Sequence, residues 1–511
     1  MLIGKERKHD PFIARENAPS AVAAVALIVA AATSLRLYDL ASLEIWFDEA
    51  VVYLLSQDTF RYFDPSLPGD KPPLFYFFIY LWTRMGSSIF FARLLEVLAG
   101  TASVYLVYVI GRDTLGRRAA ICAAVLTAFS PFEALYSREA GANMFAQMLV
   151  LASIASLVHY LKDGGRHWAI ASLIFQSAAG FTSYVTLLLI PCQAAHVYLA
   201  EPKRSRQWLM WQAVALIPLL AWLGLVFQSH IVATIGYVSA WVPPLGKVGY
   251  ARFLNNLVYG YYIDNLQQWA LAVPVIMLAS AGMANGAARR IAIYFFLPLA
   301  VFWVFSYSRH ILMQRYLLCY VPALLLLMAA GWEMVRSRLL RGILAAWIGG
   351  GMVFGLMSYY GNVNREDSPT HNSRKEFSRA AAFLETVTAP GETVFHVSQN
   401  SGAVFEALRP GRWVNRWVTV SDGPLDTYRP YRDGATAMGV VWALPERFDP
   451  SAARLPAWFV VSSWPRFPYH DPEVMAMNAT LKKVAAPERL VRFDGIDLVR
   501  YKPRDILLSP R

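Results

Sequence analysis

The sequence is short of charge. Of its 511 residues only 16% are Asp, Glu, Lys or Arg, against about 25% in an ordinary soluble domain. At roughly 150 residues per domain the length would suit three water-soluble domains. The missing charge excludes that for most of the chain, because long stretches cannot coat a wet surface. Cysteine is scarce too. Cys122, Cys192 and Cys319 all lie in apolar runs, which excludes a disulfide framework. Internal repeats, low-complexity tracts and a Gly-rich phosphate loop in a convincing setting are all missing, so cytoplasmic nucleotide-driven chemistry is not expected. The net charge of +12 would suit nucleic acid, but much of it sits in short loops between apolar segments. No nucleic-acid partner is expected.

What the sequence has in abundance is long hydrophobic runs. A bilayer core takes about 20 apolar residues per helix. Eleven segments qualify, near 20–40, 92–111, 118–136, 142–161, 167–181, 183–200, 208–228, 267–284, 291–307, 316–335 and 342–360. The N-terminus carries Lys5, Arg7, Lys8 and Arg15, and every second loop repeats the bias, from Arg112, Arg117 and Arg118 to Arg336, Arg338 and Arg341. Short basic loops stay in the cytoplasm, so eleven crossings put the C-terminus outside. The first span reads as retained rather than as a signal peptide. The expected fold is a polytopic α-helical membrane protein over residues 1–360. Residues 361–511 regain normal charge and form a small α/β domain outside the membrane. In it, Ser373–Thr388 reads as an amphipathic helix and Thr393–Val397, Val414–Val420, Ala457–Val461 and Gly495–Tyr501 as strands.

The polar chemistry gathers in the outer loops, at 41–91, 229–266 and the short stretch around Ser308–Arg315. Long loops of ordered composition are usually functional. The first holds Ile45-Trp46-Phe47-Asp48-Glu49-Ala50. Two adjacent carboxylates beside a bilayer are expensive unless they have a purpose or a partner. The bland alternative is a pair of solvated charges favoured by a helix dipole. An apolar stretch to Leu55 follows and reads as a helix along the membrane surface. Next comes Gly69-Asp70-Lys71-Pro72-Pro73-Leu74, ahead of an aromatic helix over Phe75–Trp82. Lys71 stands at that helix start, a place suited to anions, and a lipid phosphate is the obvious anion there. Arg138 and Glu139 emerge from the third span; a snorkelling arginine is the plain reading of Arg138. Arg315-Tyr316 enters the tenth span from the outer side.

In this order, the patterns W-x-D-E-A, D-K-P-P-L-x-Y, S-x-E-A and a late R-Y resemble the membrane glycosyltransferases of the GT-C fold. They are most similar to the dolichyl-phosphate-mannose-protein mannosyltransferase and aminoarabinose-transferase superfamily, in its bacterial lipopolysaccharide core galacturonosyltransferase-like branch. The resemblance spans about 20–360. It implies Asp48 as catalytic carboxylate with Glu49 beside it, and Lys71, preceded by Asp70, at the lipid-linked phosphate. It implies Glu139 as a second acidic position, with Arg138 beside it in the binding set, and Arg315 and Tyr316 near the donor phosphate. Where the family pattern often has Glu-Ala-Arg followed by an aromatic two residues on, this chain has Gly141 and Asn143 in the places of the arginine and the aromatic, with Arg138 ahead of the glutamate.

The implied chemistry is coherent. A sugar on a polyprenyl phosphate has a good leaving group that needs cationic stabilisation, and the acceptor hydroxyl needs a base. One carboxylate with Lys and Arg supplies both, and direct displacement predicts inversion. The expected donor is a polyprenyl-phosphate sugar. The acceptor is lipid A or core lipopolysaccharide, another envelope glycan, or protein. No cofactor is expected. A metal would draw on His230, His310 and Asp70, which lack tight ligand spacing. The rival reading is a transporter or flippase of a lipid-linked glycan, but such proteins favour inverted repeats and mid-depth polar sites.

Overall fold

The computed structural model describes residues 19–57, 71–242, 244, 249–261, 268–361, 376–422, 445–449, 453, 455–462 and 472–504. A helix stands within each of the eleven expected segments. Six of the described helices are long and apolar enough to cross a membrane: Ile89–Thr114, Asn143–Asp163, Pro202–Val226, Gly286–Phe305, Gln314–Met334 and Arg338–Gly361. Shorter apolar helices such as Ala21–Leu37 and Trp269–Gly282 accompany them. The Val321–Met334 helix is buried on every side through Gly331, so it forms the axis of the bundle. The Pro202–Val226 helix instead exposes Leu209, Met210, Val214, Ile217, Leu220 and Leu225, as a lipid-facing helix does. Without a hydrophobic drive between helices, close backbone approach holds such bundles. Gly282 and Gly331 provide it: a Cβ on either would collide with a backbone carbonyl of the facing helix.

The structure departs from the sequence reading in three membrane segments. The third span is not continuous. It runs as Arg117–Phe129, breaks at Ser130, and restarts as Pro131–Tyr136. Pro131 has no N–H for the Thr127 carbonyl, and the Ser130 side chain caps the new turn by accepting from Glu133 N at 3.3 Å. The tenth segment opens as a 3₁₀ turn, Gln314–Tyr320, before the α-helix begins at Val321; Pro322 denies a bond to the Leu318 carbonyl in the same way. The expected outer loop at 229–266 is largely helical. The seventh helix passes through a π turn at Phe227–Val232 into Ala233–Trp241, and Tyr250–Tyr259 follows. No proline stands between Phe227 and Trp241, the next being Pro243, and Gly236 alone weakens a helix without ending it.

Arginines inside the spans mend what the breaks leave open. Arg36, fully buried, donates to the carbonyls of Thr127 and Ala128 at 3.3 and 3.1 Å and to Ser137 Oγ at 3.0 Å. It thereby takes up carbonyls orphaned at Ser130–Pro131.

The C-terminal domain is a six-stranded sheet in the order β3-β2-β1-β4-β6-β5. Its strands are β1 Thr393–His396, β2 Val414–Thr419, β3 Pro445–Arg447, β4 Ala457–Val461, β5 Ala485–Phe493 and β6 Ile496–Pro503. β1 to β4 are mutually parallel where they pair, with β1 in register with β2 and β4; β6 and β5 add an antiparallel hairpin. The amphipathic helix is Phe377–Val387. The helices Gln399–Leu408 and Pro472–Val484 and the strands β3 and β5 were not evident in the sequence. β5 hides because Glu488, Arg489 and Arg492 face solvent at the sheet edge, where charge is an ordinary guard against further pairing.

Candidate active site

The first outer loop folds as foreseen at its two ends, with a helix over Phe47–Ser56 and another over Pro73–Thr83. Asp48 and Glu49 occupy the first turn of the former, where the N-terminal dipole favours them. Successive helical residues point about 100° apart, so the two carboxylates meet different surroundings.

Glu49 turns into the bundle. It is 2% exposed and forms a two-pronged pair with Arg93, Nε to Oε1 and Nη2 to Oε2, both at 2.8 Å. Its Oε1 also accepts from the Ala140 amide at 2.8 Å. Arg93 spends its remaining donors on the carbonyls of Leu40, Leu43 and Glu44. This one guanidinium therefore fixes both the turn after the first helix and the start of the Phe47–Ser56 helix.

Asp48 stays half-open, its side chain 39% exposed, and Arg315 Nη1 donates to its Oδ2 at 3.0 Å. The Arg315 guanidinium carbon also lies 5.4 Å from the Tyr316 ring centroid, and Tyr316 stacks on Phe302. The 3₁₀ turn ahead of Val321 puts Arg315 at the mouth of the bundle rather than on the buried axis helix.

Lys71 is partly buried just ahead of Pro72 and Pro73, close enough to act on the charge of Glu96. Glu96 is fully buried, and its Oε2 accepts from Met144 N at 2.7 Å and Phe145 N at 3.3 Å. It thus caps the Asn143–Asp163 helix from a neighbouring helix. Asp70 lies outside the described residues. Glu139 is 8% exposed and acts electrostatically on Arg93. Arg138 stands apart. It is fully buried, donates to the Tyr38 carbonyl, and lies 4.6 and 5.2 Å from the ring centroids of Tyr360 and Tyr359. It neither snorkels nor joins Asp48 and Arg315.

Two participants were missed. Arg93 and Glu96 lie inside one apolar helix, and an ionisable residue there is itself a signal. The spacing of Arg93 and Glu96, three residues apart on one helix face, was there to be read.

The histidines do not converge. His230 Nδ1 lies 2.9 Å from the Tyr184 hydroxyl, and His310 Nδ1 lies 3.4 Å from the Ser306 carbonyl. Among the described residues no three His, Cys, Asp or Glu side chains form a metal-binding group.

Comparison with known proteins bears on the fold. Residues 70–232, about a third of the chain, match the model of the dolichyl-phosphate-mannose-protein mannosyltransferase family. None of the curated protein sequences matches the chain. Among solved structures, ArnT from Cupriavidus metallidurans in its apo state superposes with a TM-score of 0.62 at 16% identity, covering 94% of this chain and 98% of that one. The same protein bound to undecaprenyl phosphate gives 0.59 at 16%, covering 95% and 99%. The oligosaccharyltransferase of Archaeoglobus fulgidus tethered to an acceptor peptide gives 0.54 at 10%, covering 96% and 75%. The chain is a multi-pass membrane protein with the GT-C fold, and its residues 70–232 match the model of the dolichyl-phosphate-mannose-protein mannosyltransferase family.

Proposed function

We propose that this protein is an inverting glycosyltransferase. It moves a sugar from a polyprenyl-phosphate carrier to an acceptor hydroxyl on the outer face of a bacterial inner membrane, where the C-terminal domain also lies. The observation that carries this reading is the half-open Asp48 paired with Arg315 at the mouth of the bundle, in a fold shared with a protein that binds undecaprenyl phosphate.

The donor phosphate competes with Asp48 for Arg315. Once the phosphate holds the guanidinium, the Asp48 carboxylate is released to take the acceptor proton. The acceptor oxygen then bonds to the anomeric carbon from the face opposite the phosphate, and the bond from that carbon to the phosphate oxygen breaks. The charge left on polyprenyl phosphate is stabilised by Lys71 and Arg315. Glu49 has no free oxygen for such a step and serves to hold the helix. The acceptor is lipid A or core lipopolysaccharide, another envelope glycan, or protein.

A transporter would draw on the charges inside the spans. Arg36, Arg93, Glu96 and Glu133 are each tied within the bundle, Glu133 through Gln147 at 2.7 Å, which favours the enzyme. The test is release of polyprenyl phosphate from purified protein in lipid nanodiscs, supplied with polyprenyl-phosphate sugars and envelope extracts. Mass spectrometry of envelope glycans with and without the gene identifies sugar and acceptor. Translocation of the lipid-linked sugar without cleavage would refute the proposal.

A further inference from the structure

The start of the Phe47–Ser56 helix is held from two sides. Arg93 holds it from the bundle, and the C-terminal domain holds it from the other. The Glu44 Oε2 accepts from the Ser378 amide at 3.0 Å and from the Ser378 hydroxyl at 2.8 Å. Ser378 lies in the first turn of the Phe377–Val387 helix, whose own N-cap residue, Glu376, makes no capping bond. A helix start needs acceptors for its free N–H groups and favours negative charge. Here the acceptor comes from a loop 334 residues away in sequence.

The contact continues as a shared core. Ile45 and Ala50 are buried in one cluster with Phe377, Ala380, Leu384 and Ala403. Ala50 and Ala403 are both fully buried, and the Gln399–Leu408 helix packs along the Phe47–Ser56 helix. That second helix is itself pinned to the sheet. His396 and Asn415 join at 2.9 Å, Asn415 Nδ2 donates to Glu406 Oε2 at 2.8 Å, and His396 Nδ1 lies 3.0 Å from Ser401 Oγ.

Asp48 sits two residues from Ala50 and four from Glu44, on the segment clamped between Arg93 and this core. We infer that the C-terminal domain is a positioning element for Asp48, with Glu44 and Ala50 as the positioning residues. The inference rests on the proposed role of Asp48. Removing the Glu44 acceptor, or wedging the two helices apart at Ala50, shifts the carboxylate relative to a donor whose phosphate is held elsewhere, by Lys71 and Arg315. A loss in turnover follows with little change in donor KM.

The experiment uses the full-length protein in nanodiscs and compares Glu44→Ala, Glu44→Gln and Ala50→Leu. Hydrogen exchange of residues 47–56 is read alongside steady-state release of polyprenyl phosphate. Glu44→Ala and Ala50→Leu should speed exchange in 47–56 and lower turnover by about 10- to 100-fold, the scale of a small misplacement, with donor KM within about twofold. Glu44→Gln keeps the acceptor oxygen and should rescue both. Unchanged exchange in Glu44→Ala and Ala50→Leu overturns the clamp. So does faster exchange with wild-type turnover, or a Glu44→Gln protein as impaired as Glu44→Ala. A wild-type protein that turns over no polyprenyl-phosphate sugar refutes the proposed function instead, and the exchange data still decide whether the domain holds the helix.

Discussion

Arg315 reaches Asp48 across 267 residues of sequence and donates to it at 3.0 Å, so the first outer loop and the start of the tenth membrane segment meet at one ion pair. Asp48→Asn keeps the shape and much of the hydrogen bonding but removes the base. Turnover should fall by about 10² to 10⁴, with expression and donor binding largely kept. Steady-state kinetics of the purified variant decide it; wild-type turnover in Asp48→Asn would leave the proposed mechanism without its base.

Lys71→Ala should weaken donor use strongly, because a cation–phosphate contact is lost. Lys71→Arg should retain part of the activity, since a planar fork does not replace a compact charge. The measurement is donor KM and turnover with one polyprenyl-phosphate sugar. No change in either for Lys71→Ala would remove the lysine from the phosphate.

Glu49→Gln should fail differently. It leaves Arg93 buried beside a neutral partner, and breaking a buried pair costs about 3–5 kcal/mol. The expected result is a lowered Tm and poor yield before any specific kinetic defect, read by thermal unfolding of the solubilised protein. A Glu49→Gln protein with unchanged Tm and no turnover would instead make Glu49 the reacting carboxylate.

Acid should loosen the C-terminal domain. Burial pushes the His396 imidazole from 6.5 down to about 4. The unfolded chain therefore takes up this proton first as pH falls. Stability is full above the ordinary histidine range, falls between about 6.5 and 4, and levels off below, a loss of about 3 kcal/mol at 1.36 kcal/mol per unit. Burial raises the Glu44 carboxyl instead, so its contribution runs the other way, firmest in acid and weaker as pH rises through the raised value. Glu44 is part-exposed, and the buried histidine dominates. Hydrogen exchange in β1 at pH 7 and pH 5 measures the effect, and His396→Gln should flatten it; equal protection at both pH values in the wild type would refute it.

Fusion reporters should find the loops at 112–118 and 201–206 in the cytoplasm and a site after residue 365 in the periplasm. A cytoplasmic reading at 365 would place Asp48 and its clamp on the wrong side for a lipid-linked donor displayed outside.

The spans were legible because long apolar runs are a local signal, and the Trp46–Ala50 stretch stood out because a short acidic pair beside such runs is unusual. The division of labour between Asp48 and Glu49 was not. It depends on Arg93 and Arg315, whose approach is set by helix packing far away in the sequence. The surroundings of Arg138 were hidden for the same reason, since nothing local announces that Tyr359 and Tyr360 come back to cover it. The helix through 227–241 was hidden by a polar sprinkling that resembles a loop, and β5 by the charges of an edge strand. Asp70, expected beside Lys71, falls outside the described residues.

The Arg36 bonds to Thr127 and Ala128 carry a consequence for how the protein is made. Arg36 leaves the ribosome 91 residues ahead of Thr127, a delay of roughly 5–20 s at ordinary synthesis rates. During that interval the first span holds a cation whose later acceptors do not yet exist. Arg36 stands in the last turn of that helix, where a long arginine reaches the outer interface by snorkelling, so its guanidinium stays wet until the third segment arrives with its broken turn. Biogenesis of this bundle is in that sense ordered from within, with the proline break of one helix serving as the landing site of another.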